Sequence, residues 1–508
     1  MTHLPDVERF ASLARSGRFV PVYRRLFADA LTPLSAFARI DAGACGCLFE
    51  SVVGGEKVGR YSFLGADPFM ILEARGTTVT ITRQGTTETL ETADPLDELR
   101  RRMEEFRPVR LPELPPFTSG VVGYAAYDSI RYAEHLPDSP PDDLHLPDIS
   151  FAFYDRLLVF DNVTKSLDIV VLARIDDPSP EGVARARTEA CRRIDATIAT
   201  LQEPHAWPPA ADIGPRREPE SLTAGTAVST FPPEAFTAAV ERAIEYIRAG
   251  DVFQVVLSRR LDIPFTGPPL ELYRTLRVVN PSPFMFFLRT PTVTLVGSSP
   301  EIMVRVIDDE ITVRPLAGTR PRGATPEEDR QLAEGLLADP KERAEHVMLI
   351  DLGRNDVGRV SQIGSVTLSD VMSIERYSHV MHITSNVTGR LAPGMTAFDA
   401  LRACLPAGTV SGAPKIRAME IIDELEPVRR GPYAGAVGYI DFTGAMDTCI
   451  ALRTIVVTGG RAHVQSGAGI VADSVPASEF QETINKAKGL LVSIEMTAER
   501  LGRAASGP

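Results

Sequence analysis

Two pairs of glutamates occur at a spacing that could serve a divalent cation. Glu342 and Glu345 lie three residues apart in a predicted helix that Asp339 caps, so their carboxylates share one face. Glu479 and Glu482 repeat this spacing on a second predicted helix, which has apolar residues at helical period. Two such helices could meet around a hard cation such as Mg²⁺, which binds oxygen ligands. By spacing alone, solvated glutamates on amphipathic helices are the more common alternative.

Three further features could hold an anionic substrate or move a proton. A Gly-Ala-Gly run at 467–469 follows the last predicted strand, so its N–H groups could approach a carboxylate closely, although a plain turn is an equal alternative. Arg453, in a predicted strand over 448–457, could bind a carboxylate with two N–H groups, and a surface arginine is equally common. His382 lies in a half-buried run, where a core histidine is more common than a general acid or base.

Helices and antiparallel strands are the elements that would carry these residues. Capping patterns predict helices that begin at Thr325 and Asp339, and a helix over 236–247 should end at Gly250. Runs between 434 and 466, separated by glycine turns, predict an antiparallel meander. The predicted fold class is therefore α+β.

A proline-rich stretch divides the chain into two predicted lobes. Residues 203–233 contain seven prolines and no regular period, which predicts a linker. Hairpin signals around 84–85 and 161–165 indicate that residues 1–202 are rich in strands. Residues 234–500 form the second predicted lobe.

Composition excludes several function classes. The chain has 508 residues and a formal net charge of -13, which argues against a nucleic-acid partner because phosphate binding needs clustered positive charge. Its five cysteines form no C-x-x-C pair, which favours a reduced cytosol. No targeting segment and no long apolar run is apparent, so we expect a cytoplasmic protein without a membrane partner.

Four strings between residues 315 and 471 resemble the chorismate-utilising enzymes, and most closely the large subunits of anthranilate synthases. They are PLAGTRPRG at 315–323, DLGRNDVG at 351–358, PAGTVSGAPK at 406–415 and QSGAGIV at 465–471. The resemblance implies large antiparallel sheets packed with helices in a β/α sandwich. It also implies that residues 234–500 form the chorismate-binding catalytic domain.

The resemblance assigns roles to the residues that match the family pattern. It implies Mg²⁺ as the cofactor, with Glu345 and Glu482 as ligands and Glu342 and Glu479 as carboxylates that bind directly or through water. His382 matches a general acid that assists hydroxyl departure, and Thr409 matches a residue that positions the substrate. The implied chorismate contacts are Gly318, Thr319, Tyr433, Arg453, Gly467, Ala468 and Gly469.

The implied reaction belongs to tryptophan biosynthesis. Ammonia adds at C2 of chorismate as the C4 hydroxyl leaves, and pyruvate is then eliminated to give anthranilate. Gln254 stands where relatives that add water have a lysine base, and Ala317 stands where 4-amino-4-deoxychorismate synthases usually have a nucleophilic lysine. An aminodeoxychorismate synthase and a non-catalytic tryptophan-binding protein remain as alternatives. Because the chain has no Gly-x-Cys-x-Gly nucleophile turn, a separate glutamine amidotransferase subunit should supply the ammonia.

Two strings in different lobes resemble a tryptophan-binding element. They are LFES at 48–51 and NPSPFM at 280–285, with Phe49 and Phe284 as mild departures from the family's Leu and Tyr. The implied inhibitor contacts are Ser51, Pro283, Phe284 and Met285. Residues 1–202 would then be a regulatory lobe that binds tryptophan together with part of the C-terminal lobe, and inhibition would be a coupling between two sites.

Overall fold

The computed structural model of the chain describes residues 2–51, 59–204, 218–223, 225–377 and 380–506. Its described α-helices are α1 Val7–Leu13, α2 Pro33–Ile40, α3 Pro95–Glu104, α4 Pro180–Gln202, α5 Glu220–Thr223, α6 Pro233–Ala249, α7 Pro269–Val279, α8 Pro326–Ala338, α9 Pro340–Gly358, α10 Ala397–Cys404, α11 Lys415–Leu425 and α12 Pro476–Ser506. Short 3-10 helices cover Tyr127–Tyr132 and Gly408–Val410.

The described strands are β1 Phe19–Phe27, β2 Gly46–Glu50, β3 Tyr61–Ala66, β4 Met70–Arg75, β5 Thr78–Arg83, β6 Thr86–Glu91, β7 Gly120–Ala125, β8 Ile149–Tyr154, β9 Arg156–Asp161, β10 Ser166–Arg174, β11 Val228–Ser229, β12 Gln254–Pro264, β13 Phe284–Arg289, β14 Thr294–Ser299, β15 Ile302–Ile307, β16 Glu310–Val313, β17 Leu316–Pro321, β18 Thr367–Arg376, β19 Val380–Arg390, β20 Gly412–Ala413, β21 Ala436–Asp441, β22 Met446–Ile450, β23 Thr454–Thr458 and β24 Arg461–Ile470.

These strands form two antiparallel sheets. Sheet A has the order β1-β10-β9-β3-β2-β13-β14-β23-β24-β12-β11, and β20 also pairs with β12. Sheet B has the order β17-β19-β16-β15-β22-β21-β7-β8-β4-β5-β6, and β18 also pairs with β19. The two sheets pack face to face through one buried layer that contains Phe63 and Phe286 of sheet A and Tyr124 and Tyr439 of sheet B. Helices pack on the outer faces of the two sheets through two further buried clusters. The predicted α+β sandwich is therefore confirmed.

Strands from both predicted lobes lie side by side in each sheet. In sheet A, β2 pairs with β13, with Phe49 opposite Phe286. In sheet B, β7 pairs with β21, with Val122 opposite Tyr439. Of the predicted linker, residues 205–217 and 224 lie outside the described residues, and the remainder includes α5 and β11, which pairs with β12.

Local signals predicted the helix ends that matter for the site. The Thr325 and Asp339 side chains cap α8 and α9, and Gly250 ends α6 with a φ of 89°. In the described ranges, none of the helices has the length and apolar character needed to cross a membrane.

Two local predictions in the meander are wrong. The glycine run at 467–469 does not follow the last strand but lies within β24, because β12 continues the pairing as far as Val255 opposite Ile470. The predicted strand over 448–457 is interrupted at 451–453, because β22 belongs to sheet B and β23 to sheet A. Arg453 therefore lies at a crossover between the sheets, with a φ of 47°.

Candidate active site

Helices α9 and α12 bring their four glutamates close together. Burial raises the pKa of Glu345, and the negative charges of Glu342 and Glu482 raise it further. Burial also raises the pKa of Glu479, with a smaller contribution from Glu482. The two pairs predicted from spacing thus face each other across one site with an excess of negative charge.

The chemistry of these side chains fits a divalent cation. Carboxylate oxygens are the ligands that Mg²⁺ prefers, and a cation would relieve the repulsion that raises both pKa values. Within the described ranges, however, no three His, Cys, Asp or Glu side chains are grouped around one point closely enough to hold a metal ion. Two of the four carboxylates contact cations of the protein instead: Arg320 lies 3.1 Å from Glu342, and Lys486 lies 2.6 Å from Glu482.

The glycine run of β24 turns two backbone N–H groups away from its partner strand. Gly467 lies opposite Ser258 and Gly469 opposite Val256. Both β12 residues donate their N–H groups on the side of β12 that faces away from β24. The Val256 N–H donates to the Ser411 carbonyl at 2.9 Å, and the Ser258 N–H donates to a Glu426 carboxylate oxygen at 2.7 Å. In an antiparallel pair of strands, two opposed residues either both direct their N–H groups toward the other strand or both direct them away from it. The N–H groups of Val256 and Ser258 point away from β24, so those of Gly469 and Gly467 point away from β12.

That edge of β24 is open where the site lies. Strand β23 pairs with β24 only as far as Val464, so the glycine run has no strand on this side. A Cβ on Gly467 would lie 2.9 Å from the backbone carbonyl oxygen of Leu257 and 3.0 Å from the Tyr433 hydroxyl. Glycine at 467 therefore avoids a close contact with backbone, whereas a Cβ on Gly469 would meet the flexible end of the Gln254 side chain.

Arg453 is a partly buried cation that has no counter-charge among the residues that the structure describes. Its carbonyl accepts a hydrogen bond from the Ser298 N–H at 3.1 Å, but its guanidinium forms no ion pair with any described residue. Burial lowers its pKa. Because an enclosed, unpaired guanidinium is costly, this position is suited to an anionic ligand.

His382 contacts the segment that precedes Arg320. Its Nδ1 donates to the Gly318 carbonyl at 2.8 Å and lies 3.2 Å from the Thr319 hydroxyl. A bulge in β17 between Ala317 and Arg320, with Gly318 at a φ of 62°, places these groups. Burial lowers the pKa of His382, which favours a neutral ring with Nε2 as a hydrogen-bond acceptor.

Glu301 is a buried acid that the sequence analysis missed. It lies between β14 and β15, directly before Ile302. Burial raises its pKa to about 8, although the Thr409 hydroxyl and the Leu316 N–H face its carboxylate and oppose the shift. A protonated carboxyl is therefore favoured at neutral pH. One signal was available: Glu301 is the only charged residue in the otherwise apolar or small stretch from 293 to 304.

Contacts and electrostatic interactions link several of the predicted site residues. Gly318 lies between His382 and Glu342. Its carbonyl accepts a hydrogen bond from His382, and a Cβ placed on it would lie only 3.0 Å from Oε2 of Glu342. Lys486 joins Glu482 to the Gly467 carbonyl at 2.9 Å. The positive charge of Lys486 also acts on Glu301, which adjoins Thr409.

The four predicted tryptophan contacts lie elsewhere, in a cavity of about 290 Å³ between the two sheets. Ser51 and the 283–285 segment line it on the side of sheet A, together with Phe49 and Phe63. Tyr439 and the ion pair between Arg305 and Asp447 line it on the side of sheet B. Its volume is near the lower end of ligand pockets, which is suited to a small molecule.

Comparison with known proteins decides the family. Residues 58–492 match the chorismate binding enzymes. The chain belongs to this family. The predicted resemblance is thus confirmed over most of the length of this chorismate-binding enzyme.

Within the family, the chain is highly similar to anthranilate synthase component 1 proteins. This chain is 49% identical to anthranilate synthase component 1 of Synechocystis sp., over 96% of this chain and 99% of that protein. It is 45% identical to anthranilate synthase component 1 of Acetivibrio thermocellus, over 97% and 99%. The crystal structure of anthranilate synthase component I from Streptococcus pneumoniae superposes with a TM-score of 0.74 at 37% identity, covering 92% of this chain and 99% of that one. The chain is therefore a member of the anthranilate synthase component 1 branch.

Proposed function

We propose that this chain converts chorismate and ammonia into anthranilate, pyruvate and water. The observation that carries the proposal is the combination of an unpaired Arg453 and two outward N–H groups of β24 with a cluster of four glutamates. Chorismate has two carboxylates, and these two regions offer each carboxylate a different partner. The family and branch of the chain support the same activity.

The two regions divide the recognition of the substrate. Arg453, the Gly467 and Gly469 N–H groups and the Tyr433 hydroxyl are suited to the enolpyruvyl carboxylate. Glu345 and Glu482, with Glu342 and Glu479 beside them, would hold Mg²⁺ near the ring carboxylate. When bound, the cation supplies Lewis-acid charge neutralisation and orients the ring.

Two buried side chains are suited to the proton transfers. The protonated Glu301 carboxyl can donate a proton to the C4 hydroxyl as it leaves while ammonia adds at C2. The neutral His382 ring presents Nε2 as an acceptor, which suits removal of the C2 proton when pyruvate is eliminated. The predicted general-acid role of His382 would require an imidazolium, which its lowered pKa disfavours, so we assign the acid role to Glu301.

One assay tests the reaction and separates it from its rivals. The purified chain is incubated with chorismate, MgCl₂ and a high concentration of ammonium, and the product is identified by mass and by anthranilate fluorescence. Absence of product would exclude an enzyme of this kind and favour the non-catalytic alternative. Formation of 4-amino-4-deoxychorismate would favour the aminodeoxychorismate synthase, which Ala317 and Gln254 argue against.

A partner amidotransferase is the proposed source of ammonia. The relatives are named component 1 of anthranilate synthase, which supports the existence of a second component. We expect the chain alone to use ammonium but not glutamine, and to use glutamine once a glutaminase component is added. Glutamine-dependent turnover by the chain alone would contradict this proposal.

Tryptophan is the proposed ligand of the cavity between the sheets. Support comes from the wall that the cavity shares with the active site: Met285 lies opposite Ser298, whose N–H donates to Arg453, and Phe284 lies opposite Ser299. The Ser299 hydroxyl donates to the Ile450 carbonyl at 2.6 Å, and the Ile450 N–H donates to the Glu301 carbonyl at 3.0 Å. A ligand that shifts β13 can therefore disturb Arg453 and Glu301, which would produce inhibition at a distance.

A further inference from the structure

Arg320 connects the segment that contacts His382 with the helix that carries two of the glutamates. Its Nη1 donates to Oε1 of Glu342 at 3.1 Å and to the Thr319 carbonyl at 3.0 Å. Its Nη2 donates to Oδ2 of Asp339 at 3.0 Å. One guanidinium thus holds strand β17 against the first turn of α9.

The Asp339 carboxylate has two functions at this junction. Oδ1 caps α9 by accepting hydrogen bonds from the Lys341 and Glu342 N–H groups at 3.0 and 3.3 Å. Oδ2 binds Arg320. Arg320 is therefore anchored to the backbone of the turn that presents Glu342, and this anchor does not depend on the Glu342 side chain.

The charges of the protein neutralise only half of the glutamate cluster. Arg320 compensates Glu342 on α9, and Lys486 compensates Glu482 on α12. Among the described residues, neither Glu345 nor Glu479 has a cation at ion-pair distance. A divalent cation that binds all four carboxylates must therefore compete with Arg320 for Glu342.

We propose that Arg320 is a positioning residue with two opposed effects: its charge holds Glu342 away from an incoming divalent cation, and its contacts with Asp339 and Thr319 hold the substrate segment in place. This inference rests on the proposed cation site and deepens it. Cation affinity is weakened by Arg320, whereas chorismate binding is strengthened by it. The two effects have opposite signs, which a general structural defect cannot produce.

The test measures both constants in Arg320→Met. Binding of Mn²⁺, a paramagnetic substitute for Mg²⁺, is followed by electron paramagnetic resonance on the substrate-free chain. We expect Mn²⁺ to bind about threefold to fivefold more tightly than to the wild type, in keeping with the strength of a partly exposed ion pair. We expect the KM for chorismate, measured with ammonium at saturating Mg²⁺, to rise about tenfold because hydrogen bonds to a charged group are lost.

Two further variants separate charge from geometry. Arg320→Lys keeps the positive charge but loses the planar fork, so it should raise the KM for chorismate and leave Mn²⁺ affinity within about twofold of the wild type. Arg322→Met is the matched control, because Arg322 lies in the same segment with similar exposure but pairs with Asp329 on α8. It should not change Mn²⁺ affinity. The side chain of Arg320 is about a third exposed, and thermal unfolding of each variant checks that it is folded.

The outcomes distinguish this inference from the proposal on which it rests. If the wild type binds Mn²⁺ and Arg320→Met binds it equally or more weakly, the role of Arg320 is overturned and the cation site stands. If the wild type binds no Mn²⁺, the proposed cation site fails, and the inference fails with it.

Discussion

Glu301 and His382 are two buried groups whose surroundings favour opposite proton states. Burial favours the neutral form of each, which for Glu301 is the protonated acid and for His382 the unprotonated base. The Gly318 carbonyl fixes the His382 tautomer by accepting from Nδ1. One donor and one acceptor are thus present together at neutral pH.

The pKa of Glu301 predicts an alkaline limit to turnover. The donor form is present below a pKa of about 8 and is lost as the pH rises through it, so kcat should fall above about pH 8. Glu301→Gln should lower kcat by about a hundredfold or more and remove this limb, because an amide cannot donate the proton. Ammonium-dependent kcat measured between pH 6 and 9.5 checks this, with total ammonia adjusted to keep free NH₃ constant. A Glu301→Gln variant that keeps the alkaline limb would contradict the assignment.

Glu345 and Glu482 should be the two glutamates of the cluster that are most sensitive to loss of charge. Glu345→Gln removes a predicted cation ligand, so we expect Mg²⁺-dependent turnover to be abolished while the chain remains folded. Glu482→Gln should behave alike. Glu334→Gln, on the exposed face of α8, is a control that should leave turnover unchanged. Near-normal activity of Glu345→Gln would remove it from the proposed ligand set.

Arg453 should determine how tightly the substrate is held. Arg453→Lys keeps a positive charge but loses the planar pair of donors, so kcat/KM for chorismate should fall by about tenfold to a hundredfold. The change should appear in kcat/KM for chorismate and not in the affinity for Mn²⁺. An unchanged kcat/KM would place the carboxylate elsewhere.

At the scale of elements, β13 and β14 lie between the cavity that contains Ser51 and the active site. The cavity assigned to tryptophan has Phe284 and Met285 in its wall, and the next strand leads to Glu301. Ser51 lies where β2 ends, at the same cavity. A bulky side chain there would fill the space that the inhibitor needs.

Ser51→Phe should therefore relieve inhibition by tryptophan with little loss of turnover. The measurement is ammonium-dependent anthranilate formation over a series of tryptophan concentrations, with the wild type and Ser51→Ala as references. Ser51→Ala removes the hydroxyl without adding volume, so it separates steric exclusion from loss of a polar contact. Unchanged inhibition in Ser51→Phe would place the regulatory site elsewhere.

Features formed by near neighbours in the chain were predictable from sequence, whereas features formed by distant segments were not. Helix caps at Thr325 and Asp339 are formed by neighbours a few residues apart, so they were predicted correctly. The interruption before Arg453 was not predictable, because it reflects a change of sheet that only distant partners decide. Glu301 was missed for the same reason, since its burial is produced by segments far away in the chain. The two glutamate pairs could be recognised from their spacing in the sequence. That the pairs on α9 and α12 lie at one site was expected from the resemblance.

At the scale of the whole molecule, the two sheets cross the boundary between the predicted lobes. Neighbouring strands on either side of residue 203 share hydrogen bonds in both sheets, as in the β2–β13 and β7–β21 pairs. The lobes therefore share one buried layer between the sheets.

This shared layer predicts a single unfolding transition. Differential scanning calorimetry of the whole chain should give one cooperative peak, because neither lobe can unfold without exposing strand edges and the common core of the other. A fragment of residues 234–508 should fail to form a stable fold for the same reason. Two well-separated peaks, or a folded fragment, would indicate independent lobes.

The interleaved strands also have a consequence for synthesis on the ribosome. Strand β7 must wait for β21, which emerges roughly 300 residues later, and at about 5 to 20 residues per second this takes tens of seconds. During that interval the edge of β7 has no partner from the later half of the chain, and unpaired edges favour aggregation. The interleaving of strands from the two lobes thus leaves strand edges of the nascent chain exposed until its last strands have been translated.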